Sequence, residues 1–202
     1  MLQRKTIEPH TLSLIAALQK KDYLQSFLLV GGTALALQLG HRTSTDIDLF
    51  THKPFNVPDL LTSLELDFNV SVRTQLRHAL LLQIDQIKSD FVFQPAELID
   101  KPVQIEGIRM GSLLEIAAMK IGAITARGKK RDFIDIYCLL EYYSLTEMLE
   151  AFLRKYPRAT PELAIRNLFY FEDAENDQDP VCFFEYNWQY LKDRIRKEAR
   201  NF

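Results

Sequence analysis

The chain has 202 residues, 47% of them hydrophobic, which is enough for one sizeable core or for a core with a helical appendage. Its formal charge of −2 excludes a uniformly basic nucleic-acid-binding protein, so any phosphate contact requires a local basic patch. The two cysteines, Cys138 and Cys182, exclude a disulfide framework and have no metal-ligand spacing.

The first half of the chain begins with a mixture of helix and strand patterns. Apolar residues at helical spacing predict a helix over residues 8–21, and the apolar run 27–30, which ends in Gly-Gly, predicts a short buried strand. Thr33 is predicted to cap a second helix, which ends at Gly40. Residues 45–50 then alternate between polar and apolar side chains and predict another strand.

Further strands are predicted before the middle of the chain. Residues 58–66 predict a helix, and several short strands are predicted between residues 69 and 93, with QIDQIK as a hairpin connection. One more strand is predicted over residues 103–109. This half therefore has the pattern of a small sheet with helices beside it.

The second half of the chain has only helical patterns. Ser112 and Glu115 have the spacing of a capping box at the start of an apolar helix that reaches about residue 126. The segment RGKKRD interrupts this helix, and a second helix is predicted over residues 132–142. From there onward we predict only helices, separated by prolines and by the acidic loop EDAENDQDP.

These patterns predict an α+β fold with two domains. Residues 1–110 would form a core with a small mixed β-sheet and flanking helices, and residues 111–202 would form an α-helical domain. No apolar run approaches the roughly 20 residues that span a bilayer, and MLQRKTIEPH lacks the apolar centre of a signal peptide. We therefore expect a soluble cytoplasmic protein that makes no membrane contact.

The stretch LLVGGTALALQLGHRTSTDIDLF joins a glycine turn to two acidic residues. Gly31, Gly32 and Thr33 stand at a helix start, where the backbone can approach a phosphate closely and exposed N–H groups favour an anion. Asp46 and Asp48 are two positions apart on a strand, so both side chains point to one face, with their Cα atoms about 6.6 Å apart. Because Mg²⁺ prefers a few carboxylates together with substrate phosphates, this unit suits an NTP.

Simpler interpretations exist for each part of this stretch alone. A Gly-Gly-Thr sequence can be a turn with a helix cap, and an Asp-x-Asp sequence can be a solvated face of a sheet. Their order and spacing favour the nucleotide site. His41 and Arg42 are predicted to lie in a solvated loop. The histidines show no metal-ligand spacing; they are His10, His41, His52 and His78.

The pattern GGT, twelve residues, DxD resembles the signature of the DNA polymerase β-like nucleotidyltransferase superfamily. The resemblance implies that Gly31, Gly32 and Thr33 bind the phosphates of the nucleotide. It also implies that Asp46 and Asp48 bind Mg²⁺ and act in catalysis. The common Gly-Ser of that superfamily is replaced here by Gly-Gly-Thr, which keeps the hydroxyl group.

In that superfamily a third carboxylate on a later strand completes the catalytic metal site. Asp90, in IKSDFVFQP, is the candidate, on a strand where Lys88, Asp90 and Val92 share one face. Asp85 is the competing residue, but its segment QIDQIK has the pattern of a turn.

The segment SLLEIAAMKIGAITARGKKRDFIDIYCLL resembles the helical region of AbiEii-type nucleotidyltransferases, the toxins of type IV toxin–antitoxin pairs from phage abortive infection. The resemblance implies that Lys120 and Arg131 bind the nucleotide and that Asp132 and Asp135 are accessory residues. A basic group beside them is predicted to contact the acceptor; its members are Arg127, Lys129 and Lys130.

Structural roles for these residues remain open. Lys120 can be a lysine at a helix edge whose ammonium group reaches solvent. Asp132 and Asp135 can pair with Lys129 or Arg131 and favour the helix N-terminus.

The resemblance implies an enzyme that transfers a nucleoside monophosphate from an NTP to an acceptor hydroxyl with the help of Mg²⁺. The expected acceptor is RNA of a tRNA-like kind, and the expected partner is a cognate antitoxin. Two alternatives stay open: an antibiotic-type enzyme that modifies a small molecule, and a non-catalytic module on the same fold that binds RNA or protein. The presence of Thr33, Asp46 and Asp48 argues against the second.

Overall fold

The computed structural model describes residues 1–200, which form two compact units. The first unit comprises residues 1–97 and 101–111. The second unit comprises residues 98–100 and the chain from residue 112 onward.

The first unit is built on a mixed sheet of seven strands in the described part of the chain. The strands are β1 (Leu28–Val30), β2 (Ile47–Thr51), β3 (Val70–Leu76), β4 (Ala79–Ile84), β5 (Ile87–Phe93), β6 (Val103–Ile105) and β7 (Ile108–Met110). Their order across the sheet is β3-β4-β5-β2-β1-β7-β6. The pairs β2/β5 and β1/β7 are parallel, and the other neighbours are antiparallel. β2 therefore lies inside the sheet, between β5 and β1.

Helices pack on this sheet and form its core. They are α1 (Pro9–Gln19), α2 (Gly31–Leu39) and α3 (Val57–Asp67). α2 contacts β1 and β2, α1 contacts β7, and α3 contacts β3 and β4. On β2, Ile47 and Leu49 are fully buried whereas Asp48 is half-buried, which confirms the predicted alternation. The QIDQIK hairpin is confirmed as the turn between β4 and β5, with positive φ at Asp85 and Gln86.

The predicted helix cap at Thr33 is wrong. α2 begins at Gly31, and Val30 occupies the N-cap position without a side-chain cap. The hydroxyl of Thr33 is instead drawn to the carbonyl oxygen of Asp46, across the loop that follows the helix. The predicted helix end is confirmed, because Gly40 has a φ of 74° in the left-handed region.

The single strand predicted over residues 103–109 is also wrong. Glu106 and Gly107 have φ values of 50° and 83°, so the chain reverses there and β6 and β7 pair as a hairpin. Two successive residues at positive φ are the geometry of a tight hairpin turn. Glu-Gly is a weaker turn signal than Asn-Gly or Asp-Gly, which is why the alternation alone suggested one strand.

The second unit is helical, as predicted. In residues 112–200 the helices are α4 (Leu113–Arg127), α5 (Lys130–Leu139), α6 (Leu145–Lys155), α7 (Pro161–Leu168), α8 (Glu172–Glu175) and α9 (Trp188–Ala199). α4 packs against α5, α6 and α7. Within residues 1–200, no helix combines the length and the apolar character needed to cross a membrane.

The helix starts in this unit depend on side chains from other segments. Ser112 accepts the N–H of Glu115, but the predicted capping box is incomplete because the Glu115 carboxylate accepts the N–H of Ile99 and pairs with Lys155. α5 begins two residues earlier than predicted because the carboxylate of Asp177 accepts the backbone N–H of Lys130 (2.9 Å).

Candidate active site

The acidic residues of β2 and β5 share one face of the sheet. Asp48 and Asp90 are direct partners in the parallel register of the two strands. Asp46 and Lys88 precede them by two positions each, so alternation places them at the next level of the same face. Asp46, Asp48 and Asp90 are called the carboxylate cluster below. The structure thus brings the three predicted acidic residues together.

Two cations lie on the carboxylate cluster. Lys88 Nζ is 3.4 Å from Asp46 Oδ2 and 3.3 Å from Asp90 Oδ2. Arg73 Nη1 is 3.5 Å from Asp90 Oδ1. Arg73 stands where the β3–β4 register shifts between Val72 and Thr74, and such a bulge re-aims a side chain.

The glycine turn lies directly against the carboxylate cluster. Gly31 has a φ of 69°, and a Cβ atom at this position would lie 2.3 Å from Asp48 Oδ2. Any side chain here would therefore displace the Asp48 carboxylate. The start of α2, whose first N–H groups have no partner within the helix, is held in contact with an acidic residue of the cluster. An anion cradle and a group of hard oxygen ligands are adjacent.

Thr33 connects α2 to the start of β2. Its side chain is fully buried, its hydroxyl donates to the carbonyl oxygen of Asp46, and its Oγ1 lies 2.9 Å from Ser44 Oγ. This hydrogen bond fixes the backbone of the first acidic residue. The contact between the Thr33 hydroxyl and a phosphate stays a prediction, because the hydroxyl already has a partner within the chain.

The segment between α2 and β2 is buried, so the solvated loop predicted for His41 and Arg42 is wrong. The two residues are only 6% and 3% exposed. A Cβ atom at Gly32 would lie 2.7 Å from Arg42 Nη2 and 3.3 Å from Ser44 Oγ. Gly32 therefore makes room for a guanidinium group beside the start of α2.

Three basic residues at this site were not predicted as site residues: Lys88, Arg73 and Arg42. Lys88 was recognised only as sharing a face with Asp90, and its position two residues earlier was the signal that could have identified it. The contact of Arg73 depends on a bulge and on the pairing of β3 with β4, which no local pattern predicts.

The donor set suits a divalent cation. Three carboxylates on one face are hard oxygen ligands of the kind that Mg²⁺ uses. Asp90 Oδ1 is buried and has no hydrogen-bond partner within residues 1–200, apart from its ion pair with Arg73. In that same range no three His, Cys, Asp or Glu side chains surround a common point, and Lys88 Nζ lies within 3.4 Å of both Asp46 and Asp90. The ligands are present in kind and register, with an ammonium group among them.

The second unit contains a buried ion-pair network. Lys120 Nζ lies 2.9 Å from Asp132 Oδ1 and 2.6 Å from Asp135 Oδ2, and Arg127 Nε lies 3.2 Å from Asp132 Oδ2. Both aspartate side chains are fully buried, and Lys120 is 4% exposed. A solvent-reaching Lys120 at a helix edge is therefore wrong. Burial raises the pKa of Asp132, but the attraction of Lys120 and Arg127 outweighs it, so the pKa lies below the ordinary aspartate value.

We expect replacement of Lys120 by Met to lower the free energy of unfolding at neutral pH by about 3 kcal/mol, because two buried carboxylates lose their shared cation. The lowered pKa of Asp132 means that its ion pairs stabilise the protein above the ordinary aspartate pKa and are lost as pH falls through the folded-state value. The loss in Lys120→Met should therefore shrink toward about pH 3. Urea unfolding at both pH values measures it, with exposed Lys129→Met as the control. Equal losses at both pH values would contradict this account.

The basic segment around residue 129 divides by burial. Lys129 is exposed and Arg131 is half-buried. Lys130 is buried, with Nζ 2.9 Å from Asp179 Oδ1 and 5.3 Å from the ring centre of Trp188. The ammonium group of Lys130 therefore has partners within its own unit.

Comparison with known proteins agrees with this architecture. The sequence profile of the family described as "Nucleotidyl transferase AbiEii toxin, Type IV TA system" matches residues 13–201. The chain is 31% identical over 183 residues to the uncharacterized protein aq_aa25 of Aquifex aeolicus (strain VF5), covering 87% of this chain and 89% of that protein.

Solved structures with the same fold have low sequence identity. The nucleotidyltransferase toxin MenT4 of Mycobacterium tuberculosis H37Rv has a TM-score of 0.62 and 17% identity, over 94% of this chain and 83% of MenT4. JHP933 of Helicobacter pylori has a TM-score of 0.59 and 17% identity, over 96% of this chain and 92% of JHP933. The profile match spans nearly the whole chain, and this chain therefore belongs to the AbiEii family of nucleotidyltransferase toxins.

Proposed function

We propose that this nucleotidyltransferase moves a nucleoside monophosphate from an NTP to an acceptor hydroxyl on RNA, releases pyrophosphate, and requires Mg²⁺. The observation that carries the proposal is the contact of Gly31 with the Asp48 carboxylate, opposite Asp90. A site for phosphate and a site for a cation lie side by side, as the triphosphate of a metal-bound NTP requires.

Residues of the first unit would bind the triphosphate and the metal. The carboxylate cluster would hold Mg²⁺, which when bound stabilises charge on the phosphates and lowers the pKa of the acceptor hydroxyl. The N–H groups of Gly31, Gly32 and Thr33 would face the phosphates at the positive end of α2. We assign this chemistry to a catalytic domain of residues 1–110.

Residues of the helical domain, 111–202, would complete nucleotide and acceptor binding. We propose that Lys120 and Arg131 offset negative charge on the nucleotide. Asp132 and Asp135 would orient the ammonium group of Lys120, because both carboxylates lie within 3 Å of its Nζ. Such a fixed cation needs little reorganisation when charge develops on a leaving group.

The family also suggests the biological setting. We propose that the protein is the toxin of a type IV pair, inhibited by a cognate antitoxin, and that its RNA target is tRNA-like. The small-molecule alternative differs only in the acceptor, since the donor site would be the same. A non-catalytic module has less support, because the acidic residues and the glycine turn are still arranged around one face.

Transfer to RNA is tested directly by incubating the protein with Mg²⁺, each α-labelled NTP, and total cellular RNA. A labelled RNA band formed with one or more NTPs is the expected result. Labelling of a small-molecule pool but not of RNA would favour the antibiotic-type alternative. Absence of transfer to both pools, with NTP binding retained, would favour the binding module.

Exposed basic residues on the helical domain give a prediction about the acceptor. We expect the double variant Lys129→Ala with Arg131→Ala to bind RNA more weakly than the parent protein and to show a shallower dependence of affinity on salt. Each lost phosphate contact on a single strand lowers the slope of log affinity against log salt by about 0.7. Filter binding at several salt concentrations measures both quantities.

The matched control removes the same charge from exposed positions near the end of α9, in Lys197→Ala with Arg200→Ala. Lys130 is left unchanged, because its burial against Asp179 and Trp188 would turn a binding test into a stability test. Equal effects of the two double variants would mean that the segment around Lys129 is not the acceptor path. Arg127 is also kept, since it pairs with Asp132.

A further inference from the structure

Lys88 is part of the carboxylate cluster's geometry although it cannot be a metal ligand as an ammonium ion. Its Nζ lies 3.4 Å from Asp46 Oδ2 and 3.3 Å from Asp90 Oδ2, so it joins the first acidic residue of β2 to the acidic residue of β5. Lys88 is fixed at this level because it is two positions before Asp90 on the same strand face. Its side chain is 37% exposed, so the ammonium group can move to solvent.

We propose that Lys88 is a built-in counter-ion that competes with a free divalent cation for Asp46 and Asp90, and so makes the site accept the metal chiefly together with a triphosphate. This inference rests on the proposed function, because it concerns the metal of that reaction. A metal ion that binds alone must displace the ammonium group from two carboxylates. A metal ion that arrives with a nucleotide brings phosphate oxygens with which the displaced ammonium group can pair.

The charges on this face support the competition. Lys88 and Arg73 offset two of the three carboxylates when nothing is bound, which removes much of the attraction for a free cation. The two contacts differ in kind. Lys88 bridges two acidic residues, whereas Arg73 contacts only Asp90 and stands on a different strand. Removing Lys88 should therefore open the space between Asp46 and Asp90 more than removing Arg73 would.

The test measures Mn²⁺ binding to the full-length protein by calorimetry without nucleotide. We expect Lys88→Met to bind Mn²⁺ about tenfold more tightly than the parent protein, because a positive charge close to the metal position is removed. Lys88→Arg, which keeps the charge, should stay near the parent value. Lys53→Met, which removes an exposed lysine beyond the other end of β2, should also stay near it.

A second readout is thermal unfolding. Ligands that bind the folded state raise its melting temperature in proportion to their affinity. Mn²⁺ alone should therefore raise the melting temperature of Lys88→Met more than that of the parent protein. Adding Asp46→Asn and Asp48→Asn to Lys88→Met should abolish this rise, which would place the bound ion at the carboxylate cluster.

An unchanged Mn²⁺ affinity in Lys88→Met overturns the inference, and so does an equal gain in Lys53→Met. Absence of Mn²⁺ binding to every variant also overturns it. In each of these cases the proposed function stands if transfer still requires Mg²⁺ together with Asp46 and Asp48. Loss of that requirement would instead overturn the proposed function itself.

Discussion

Nucleotide transfer should fall by about 1000-fold or more when Asp46 and Asp48 are both replaced by Asn. Asn retains the shape of each side chain but removes the negative charge that would attract Mg²⁺. The melting temperature should stay the same or rise, because two like charges held on one strand face repel each other. The ion pair lost between Asp46 and Lys88 is partly exposed and contributes little.

Transfer of labelled nucleotide to the acceptor and thermal unfolding would be measured on the same preparations. Asp85→Asn is the matched control, since Asp85 lies in the β4–β5 turn, away from the face of the carboxylate cluster. Full activity in the double variant would remove the metal assignment. A large drop in melting temperature would show that the two carboxylates act mainly in folding.

The sequence predicted those parts of the site that depend on local spacing. The glycine turn, the acidic residues two apart on β2, and the hairpin before β5 each lie within a few residues. The pairing of Asp48 with Asp90 was less accessible, because it requires the register of two parallel strands about 40 residues apart in the chain. The family pattern supplied that step, and the structure places the two residues opposite each other.

Long-range electrostatics account for most of what sequence reasoning missed. Asp132 and Asp135 were assigned exposed partners on their own helix as one interpretation, whereas Lys120 of α4 and Arg127 lie between the helices. Buried charges need such partners from neighbouring elements. The start of α5 at Lys130 has the same origin, since its cap comes from a distant acidic loop. No local propensity contains this information.

Replacing Gly31 by Ala should lower nucleotide transfer by about 100-fold, because the new Cβ atom would lie 2.3 Å from Asp48 Oδ2 and push that carboxylate from its position. The same change should cost about 1–2 kcal/mol of stability, since Gly31 has a φ of 69°. Gly107→Ala is a matched control: its φ is 83°, and nothing lies within 4 Å of the added Cβ atom. Steady-state transfer rates and urea unfolding of both variants separate the two effects.

The comparison is decisive because the backbone strain is similar in the two variants while only one of them touches the site. We expect similar losses of stability and a loss of activity in Gly31→Ala alone. Gly32→Ala should fall between them, because its Cβ atom would meet the movable end of the Arg42 side chain rather than a carboxylate of the cluster. If Gly31→Ala and Gly107→Ala lose stability equally and both remain active, Gly31 serves only the turn, and the phosphate site must be sought elsewhere on the face.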